Sequence, residues 1–271
     1  MSKVAFITGA SRGIGKACAV RLAKEGWDIV VAAKTTEENP KLPGTIFTAA
    51  EDLRQYGTKV LPVQCNVRDV ASVNDAAAKT LDHFGRIDAV INNAGALWWR
   101  NLDETDMRRY DLVHEVNARG AYACTYAFIE AMKTQKSGHV INMSPPIDLT
   151  MVPGHIAYMI GKFGMTLIVH GLAEEMKEYN IKATALWPKT LIESFATINF
   201  GMGDPSIWRK AEILADATFE ILEHPDKCNG KALIDEDFLR EVGYTDFDQY
   251  LCTPDGTPLE LSSELMAASR S

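Results

Sequence analysis

The chain has little of what announces a metal, a membrane or a nucleic acid. Its only cysteines, Cys18, Cys65, Cys124, Cys228 and Cys252, are scattered, with no Cys-x-x-Cys pair and no histidine at metal-ligand spacing, so reduced intracellular thiols are expected rather than a metal site or a disulfide framework. Positive charge is also short: 28 Lys+Arg stand against 36 Asp+Glu, a formal net charge of -8, and such a surface does not attract phosphate backbones or anionic lipid. Nucleic acid is not an expected partner. No apolar run approaches the length of a membrane span, and the chain enters Val4-Ala5-Phe6-Ile7-Thr8-Gly9 too early to leave room for a signal peptide. A soluble, cytoplasmic protein is expected.

What is present is an ordinary globular share of apolar residues, 46% of 271, with short β-branched runs alternating with longer helix-period stretches up to about residue 235. That rhythm predicts the α/β class, with a doubly wound, seven-stranded parallel sheet and helices on both faces. The strands are expected at Lys3–Ile7, Asp28–Ala33, Lys59–Gln64, Ala89–Ile91, His139–Met143, Lys182–Leu186 and Ala232–Asp235. Helices are expected at Gly15–Glu25, Phe47–Tyr56, Val70–Phe84, Met107–Thr134, Ala157–Glu178 and Ala211–Glu223. One domain over residues 1–240 follows, with a C-terminal extension, 241–271, that has no obvious strand partner and is expected to pack on the body or on a neighbouring subunit. The loop Thr35–Thr45, with Pro40 and Pro43, is long for its position and is a candidate ligand-contacting loop.

After the first strand comes Thr8-Gly9-Ala10-Ser11-Arg12-Gly13-Ile14-Gly15, and a helix pattern begins at once. Gly9, Gly13 and Gly15 permit a tight turn and close backbone approach, so the helix N-terminus can offer N–H groups to a pyrophosphate, with Ser11 in the same loop. This is the entrance of a Rossmann fold. An acid at the end of the second strand would select NAD, but that strand ends Ala32-Ala33-Lys34-Thr35. Lys34 and Arg12 are instead two cations able to face a 2′-phosphate, so NADP(H) is the expected cofactor and NAD the lesser choice.

Tyr158 and Lys162 are four apart on an expected helix and share one face. An ammonium beside a phenol favours phenolate and brings its pKa toward working range, making Tyr158 an acid/base candidate. The bland alternative is a half-buried Tyr with a snorkelling Lys. With Thr8–Gly15, Asn92-Asn93-Ala94-Gly95 and Asn117, these residues stand in the order and at about the separations of the short-chain dehydrogenases/reductases, which the chain resembles over nearly all of residues 1–240. In detail, Ala33-Lys34-Thr35, Lys41-Leu42-Pro43-Gly44-Thr45-Ile46, Asn142-Met143-Ser144-Pro145-Pro146, Leu186-Trp187-Pro188-Lys189-Thr190 and Ile234-Asp235-Glu236 resemble the hydroxysteroid dehydrogenase-like 2 group. That group often adds a C-terminal sterol-carrier domain, for which this chain is too short.

The resemblance implies that Tyr158 exchanges a proton with the substrate oxygen, that Lys162 binds the nicotinamide ribose, and that Asn117 sits in a helix distortion and holds a water linking Lys162 to solvent. Asn92, Asn93, Ala94 and Gly95 would line the cofactor with Ile14 close by, Asn66 and Val67 would meet the adenine, and Pro188, Thr190 and Ile192 would lie near the nicotinamide amide. A homodimer or homotetramer through the helices of 107–134 and 157–178 is also implied.

The family's fourth catalytic member, a Ser thirteen residues before the Tyr, is here Pro145. Ser144 stands one place earlier, a catalytic candidate whose side chain should point to the opposite face of the strand unless a bulge intervenes. Losing a carbonyl-polarising donor costs on the order of 100-fold in rate. Trp98, Trp99, Ile147 and Trp187 are expected to line the substrate side, joined by Met151, Phe200, Met202 and Trp208, which suits a bulky apolar alcohol or carbonyl. His155 is expected at the rim of this pocket. Two functions follow: an NADP(H)-dependent oxidoreductase, or a nucleotide- or lipid-binding module in which Pro145 has removed useful catalysis.

Overall fold

The computed structural model describes residues 2–40 and 42–261. Strands β1 (Val4–Thr8), β2 (Asp28–Ala33), β3 (Val60–Gln64), β4 (Ala89–Asn92), β5 (Gly138–Met143), β6 (Ile181–Trp187) and β7 (Lys231–Ile234) form one parallel sheet in the order β3-β2-β1-β4-β5-β6-β7. All seven expected strands are present, each within one residue of its expected bounds. They read as runs of Val, Ile and Ala because a parallel strand is covered on both faces, and β1 and β2 are buried at every position.

The helices are α1 (Gly13–Lys24), α2 (Ile46–Arg54), α3 (Val70–Phe84), α4 (Met107–His114), α5 (Gly120–Gln135), α6 (Ile156–Glu175), α7 (Phe195–Asn199), α8 (Glu212–Glu223), α9 (Pro225–Cys228) and α10 (Asp235–Glu241). Helices α1, α2 and α8 pack with Ala5, Ile7, Ile29 and Val31 on one face of the sheet. On the other, α3, α5 and α6 pack with Val4, Phe6, Val30 and Val140. Alternation along each strand feeds both cores, and full burial of each large side chain contributes roughly 1.5–3 kcal/mol. Strand order reverses between β1 and β4, so a crevice opens beyond their carboxyl ends, where ligands bind in this architecture.

Three expectations need correction. The stretch expected as one helix over Met107–Thr134 is broken by a π turn at Glu115–Arg119, which separates α4 from α5. Helix α6, at 20 residues and a mean hydropathy of 1.4, is by length and composition apolar enough to cross a membrane, contrary to the expectation that no run reaches that length. Ten of its residues are buried in the fold, Lys162 among them, as befits a core helix. Finally, the C-terminal segment does find strand-like partners. Leu191 N donates to Leu259 O at 3.0 Å, Leu261 N donates to Lys189 O at 2.8 Å, and Thr190 and Glu260 form an antiparallel bridge. Phe247 and Tyr250 join the core under α8, so residues 242–261 pack on the body; 262–271 lie outside the described residues.

Candidate active site

At the end of β1, Thr8 turns its hydroxyl toward β4. Its Oγ1 accepts from the backbone N–H groups of Asn93 and Ala94, each at 3.0 Å, while Asn93 Nδ2 donates to Thr8 O at 2.9 Å. The glycine loop is thereby laced to the β4 exit. A Cβ at Gly15 would stand 2.5 Å from Asn93 Nδ2 and 2.6 Å from Gly9 O, so glycine is required there by close approach. Gly13 is different: it is exposed, and a Cβ would meet nothing within 4 Å, so glycine serves there through its φ of +55°.

Helix α1 begins here without a side-chain cap and without an acid in its first turn. By contrast α2, α3 and α4 are capped by Thr45, Asp69 and Asp106. The first N–H groups of α1, at Gly13, Ile14 and Gly15, are therefore free to meet an anion, with Ser11 buried beside them. A pyrophosphate fits this cradle.

Arg12 is placed otherwise than expected. Its guanidinium donates to the carbonyls of Pro43 (3.0 Å), Leu42 (3.1 Å) and Gly44 (2.5 Å), fastening the loop after β2 over the glycine turn. Three nearby acceptors outcompete solvent for a planar five-donor group. Lys34 is exposed at the end of β2, has no ion-pair partner among the described residues, and borders a hollow of about 370 Å³ formed by residues 34–40. Further along the same edge, Asn66 is exposed with its Oδ1 accepting from Arg68 N at 3.3 Å, and Val67 is buried beneath it.

The opposite side of the crevice is carried by α6 and the π turn. Asn117 is fully buried in that turn, where the resemblance implies a distortion, and its amide grips the loop after β4 twice: Oδ1 accepts from Ala96 N at 2.8 Å and Nδ2 donates to Ala96 O at 3.1 Å. Gly95 beside it lies where a Cβ would be 3.5 Å from Asn117 Oδ1 and 3.7 Å from Lys162 Nζ. Tyr158 and Lys162 lie on one face of α6, 7% and 5% exposed. Lys162 Nζ donates to Met143 O at 2.6 Å and stands 5.9 Å from the centre of the Tyr158 ring.

The acidified phenol expected from the Tyr158–Lys162 spacing is not what this geometry produces. Burial raises the Tyr158 phenol well above its ordinary value and lowers the Lys162 ammonium to about 8, since both lose water and the ammonium is turned to a carbonyl rather than to the phenol. Tyr158 is thus held protonated.

Ser144 is fully buried at the end of β5. Its N donates to Leu186 O at 3.0 Å, and its hydroxyl lies 3.5 Å from Asn142 O, so it presents nothing to the crevice. Pro145 is buried next to it, with its carbonyl accepting from Thr166 Oγ1 at 2.6 Å. His155, expected at the rim, is 1% exposed; it packs edge-on against Trp99, ring centres 4.9 Å apart, with Nδ1 2.9 Å from Pro153 O. Its place at the foot of α6 puts it under the loop after β4 rather than beside solvent.

Tyr158, Trp99, Trp187, Met151, Met159 and Val113 form a single apolar cluster, with Trp98 and Met202 against it. Trp98 is half-buried and donates from Nε1 to Thr105 Oγ1 at 3.1 Å, Trp99 and Trp187 are buried, and Ile147 is exposed on the loop above. After β6, Pro188 is half-buried, Thr190 is buried with Oγ1 unpartnered among the described residues, and Ile192 is buried with its carbonyl accepting from Thr197 Oγ1 at 2.9 Å.

Sequence reasoning gave no role to Thr8 as a lace between strands, to Thr166, or to the buried amide pair Asn92–Asn142 (2.8 Å), whose Asn142 also donates to Met165 O at 2.8 Å. A polar residue ending an otherwise apolar strand was the available signal, since such a group is buried only with a partner.

Residues 3–197 match the family "short chain dehydrogenase". The chain is 46% identical over 257 residues to "Hydroxysteroid dehydrogenase-like protein 2" of Rattus norvegicus, across 94% of this chain and 49% of that protein, so it spans about half the length of that relative. A solved putative dehydrogenase from Xanthomonas campestris is 38% identical with a TM-score of 0.91, covering 95% of this chain and 96% of that one. An alcohol dehydrogenase from Thermococcus sibiricus, complexed with 5-hydroxy-NADP, is 25% identical with a TM-score of 0.75, covering 86% and 96%. The sheet order, the uncapped glycine-loop helix, the π turn and these similarities converge: the chain belongs to the short-chain dehydrogenase family of oxidoreductases.

Proposed function

We propose that this chain is an NADP(H)-dependent oxidoreductase interconverting a bulky, apolar, lipid-like alcohol and its carbonyl, with Tyr158 as the acid/base. The observation that carries the reading is the burial of Tyr158 and Lys162 together, beside Asn117, at the end of a crevice whose other end is the uncapped start of α1. Gly13, Ile14 and Gly15 would hold the pyrophosphate through their N–H groups, with Gly9 and Ser11 shaping the turn. Lys34 would pair with the 2′-phosphate, and Arg12 would act by fixing the loop around it. Asn66 and Val67 would flank the adenine; Asn93, Ala94, Gly95, Pro188, Thr190 and Ile192 would border the nicotinamide. The cofactor, when bound, would give up or accept the hydride according to direction, and the 5-hydroxy-NADP in the Thermococcus protein supports a cofactor of the NADP type.

The chain's own residues handle the proton. A neutral phenol, kept so by burial, is set to donate to an oxygen gaining negative charge, and in the oxidative direction to receive the proton back. Lys162, already lowered to about 8, orients the ribose end and is placed by Met143 O. Trp98, Trp99, Ile147 and Trp187 give the substrate side its apolar character, in keeping with the name of the Rattus relative. Residues 1–240 would form the catalytic body and the segment after 240 its brace. Exposed Tyr122 and Tyr126 on α5 and Ile160 and Leu167 on α6 support a homo-oligomer, with the cytoplasm as its setting.

The test is reduction of an aldehyde and ketone panel with NADPH and NADH by the parent chain and by Tyr158→Phe. The variant is expected to lose on the order of 1,000-fold in kcat while binding NADPH as before. No turnover by the parent chain, or equal turnover by both, overturns the proposal. Pro145 favours a second reading, a binding module without chemistry; under it, Pro145→Ser would bring a large gain in rate from almost nothing.

A further inference from the structure

The family chemistry needs a hydrogen-bond donor, besides the tyrosine, on the substrate oxygen, and position 145 cannot supply one because proline has neither a side-chain donor nor a backbone N–H. Ser144 does not replace it, because its hydroxyl is turned back to its own strand, 3.5 Å from Asn142 O. The neighbouring strand offers a candidate. Met143 pairs with Leu186, and Ser144 N continues that ladder to Leu186 O, so Trp187 stands beside Ser144 one step further on. Met143 and Leu186 both face the α1–α8 core, so by alternation Trp187 projects to the α6 side. There it joins Tyr158 in one cluster, and its ring centre is 5.5 Å from Lys162 Nζ.

The Trp187 indole is 8% exposed, and its Nε1 is buried with no hydrogen-bond partner among the described residues. An indole N–H can only donate, and a buried donor left unpaired is costly, so it is expected to serve an acceptor that arrives later. Trp99 Nε1 is likewise unpartnered among the described residues, and its ring packs edge-on against both His155 and Tyr158, with centres 4.9 and 6.2 Å apart, but it stands on the loop after β4 rather than on the strand paired with β5 beside position 145. Lys162 lies over the face of the Trp187 ring, which leaves its N–H edge unengaged.

We infer that Trp187 takes over the role of the absent hydroxyl and donates its indole N–H to the substrate oxygen. This rests on the oxidoreductase reading and deepens it. No covalent step is added: the N–H bond stays intact, the indole holds the oxygen as negative charge grows on it, and the proton arrives from Tyr158 Oη as that O–H bond breaks.

Decanal and acetophenone with NADPH serve as probes for the parent chain, Trp187→Phe, Trp187→His and Pro145→Ser. Trp187→Phe keeps an aromatic ring and removes the donor, so kcat should fall on the order of 100-fold with NADPH affinity unchanged. Trp187→His keeps a ring N–H and should recover part of that loss. The infrared carbonyl stretch of acetophenone bound beside NADP+ should rise in Trp187→Phe, as polarisation is lost. Pro145→Ser, should the Trp187 variants fold poorly, is an independent arm: with a donor already in place it should change kcat by less than about threefold.

A Trp187→Phe variant as fast as the parent, an unmoved carbonyl stretch, or a large gain in Pro145→Ser overturns the assignment. If the parent turns over neither these probes nor the wider panel, the oxidoreductase reading itself fails and takes this one with it. If the parent is active and Trp187→Phe matches it, only the tryptophan assignment fails.

Discussion

The two ends of the crevice are made of different material. Where β1 meets β4, short polar side chains lace backbone to backbone and leave the N–H groups at the start of α1 for a ligand: Thr8 accepts from Asn93 and Ala94, Asn93 returns a bond to Thr8, and Asn117 grips Ala96 in both directions. Where β5 meets β6, the walls are indoles and methionines, and two buried indole N–H groups and the Thr190 hydroxyl lack partners among the described residues. The first end has its shape before any ligand arrives. The second keeps donors unspent, which is costly to the fold and useful only if something binds there.

The most damaging change expected is at the laced end. In Gly15→Ala the new Cβ would collide with Gly9 O, a backbone atom that cannot step aside; we expect about 3 kcal/mol of lost stability in chemical denaturation and more than 100-fold weaker NADPH binding in titration calorimetry. An alanine tolerated there would show that the glycine loop has slack.

At the other end, Lys162→Met should do the reverse. The buried ammonium is lowered from 10.5 to about 8, so between those values the unfolded chain holds a proton that the folded chain has released, and stability rises with pH through that window. Below pH 8 the folded chain carries the cost in full, up to about 3 kcal/mol. The variant should therefore melt higher than the parent at pH 7, lose turnover, and surrender its advantage as pH rises from 8 to 10.5. A lower Tm at pH 7 would place the lysine among the stabilising contacts.

The smallest effect concerns Lys34, which is exposed and has no ion-pair partner among the described residues. Removing one charge-assisted contact to a phosphate costs about 1.5–3 kcal/mol, so Lys34→Ala should weaken NADPH binding roughly 10- to 100-fold while leaving NADH binding unchanged. Equal losses for both would shift the lysine's role from selecting the 2′-phosphate to holding the loop.

How much of this was legible in the sequence follows the same division. The strands could be placed to within one residue because β-branched runs bounded by turns have one reading in an α/β chain, and Gly9, Gly13 and Gly15 because a strand precedes them and a helix follows. The π turn at Glu115–Arg119 was not legible in the periodicity, since the inserted residue leaves apolar spacing intact on both sides and shows only as a phase slip; the resemblance alone implied a distortion at Asn117. The pairing of 259–261 with 189–191 is a single antiparallel bridge between irregular segments, too short for any alternation to register. Arg12 and Lys162 were assigned to ligand and phenol because a sequence shows charge and spacing but not carbonyl groups, and it is the carbonyls of Pro43, Gly44 and Met143 that hold them here.

The grip of Arg12 on the bend at 42–44 has a wider meaning for how the molecule meets its ligand. The same bend sits so close to the phosphate turn that a side chain at Gly44 would strike Ser11 O at 2.7 Å. Bolt and keyhole are thus one piece: the segment that would cover the adenosine is locked by a residue of the turn that would seat the phosphates, so neither can be repositioned alone, and the pair is inherited, loosened or lost as a unit.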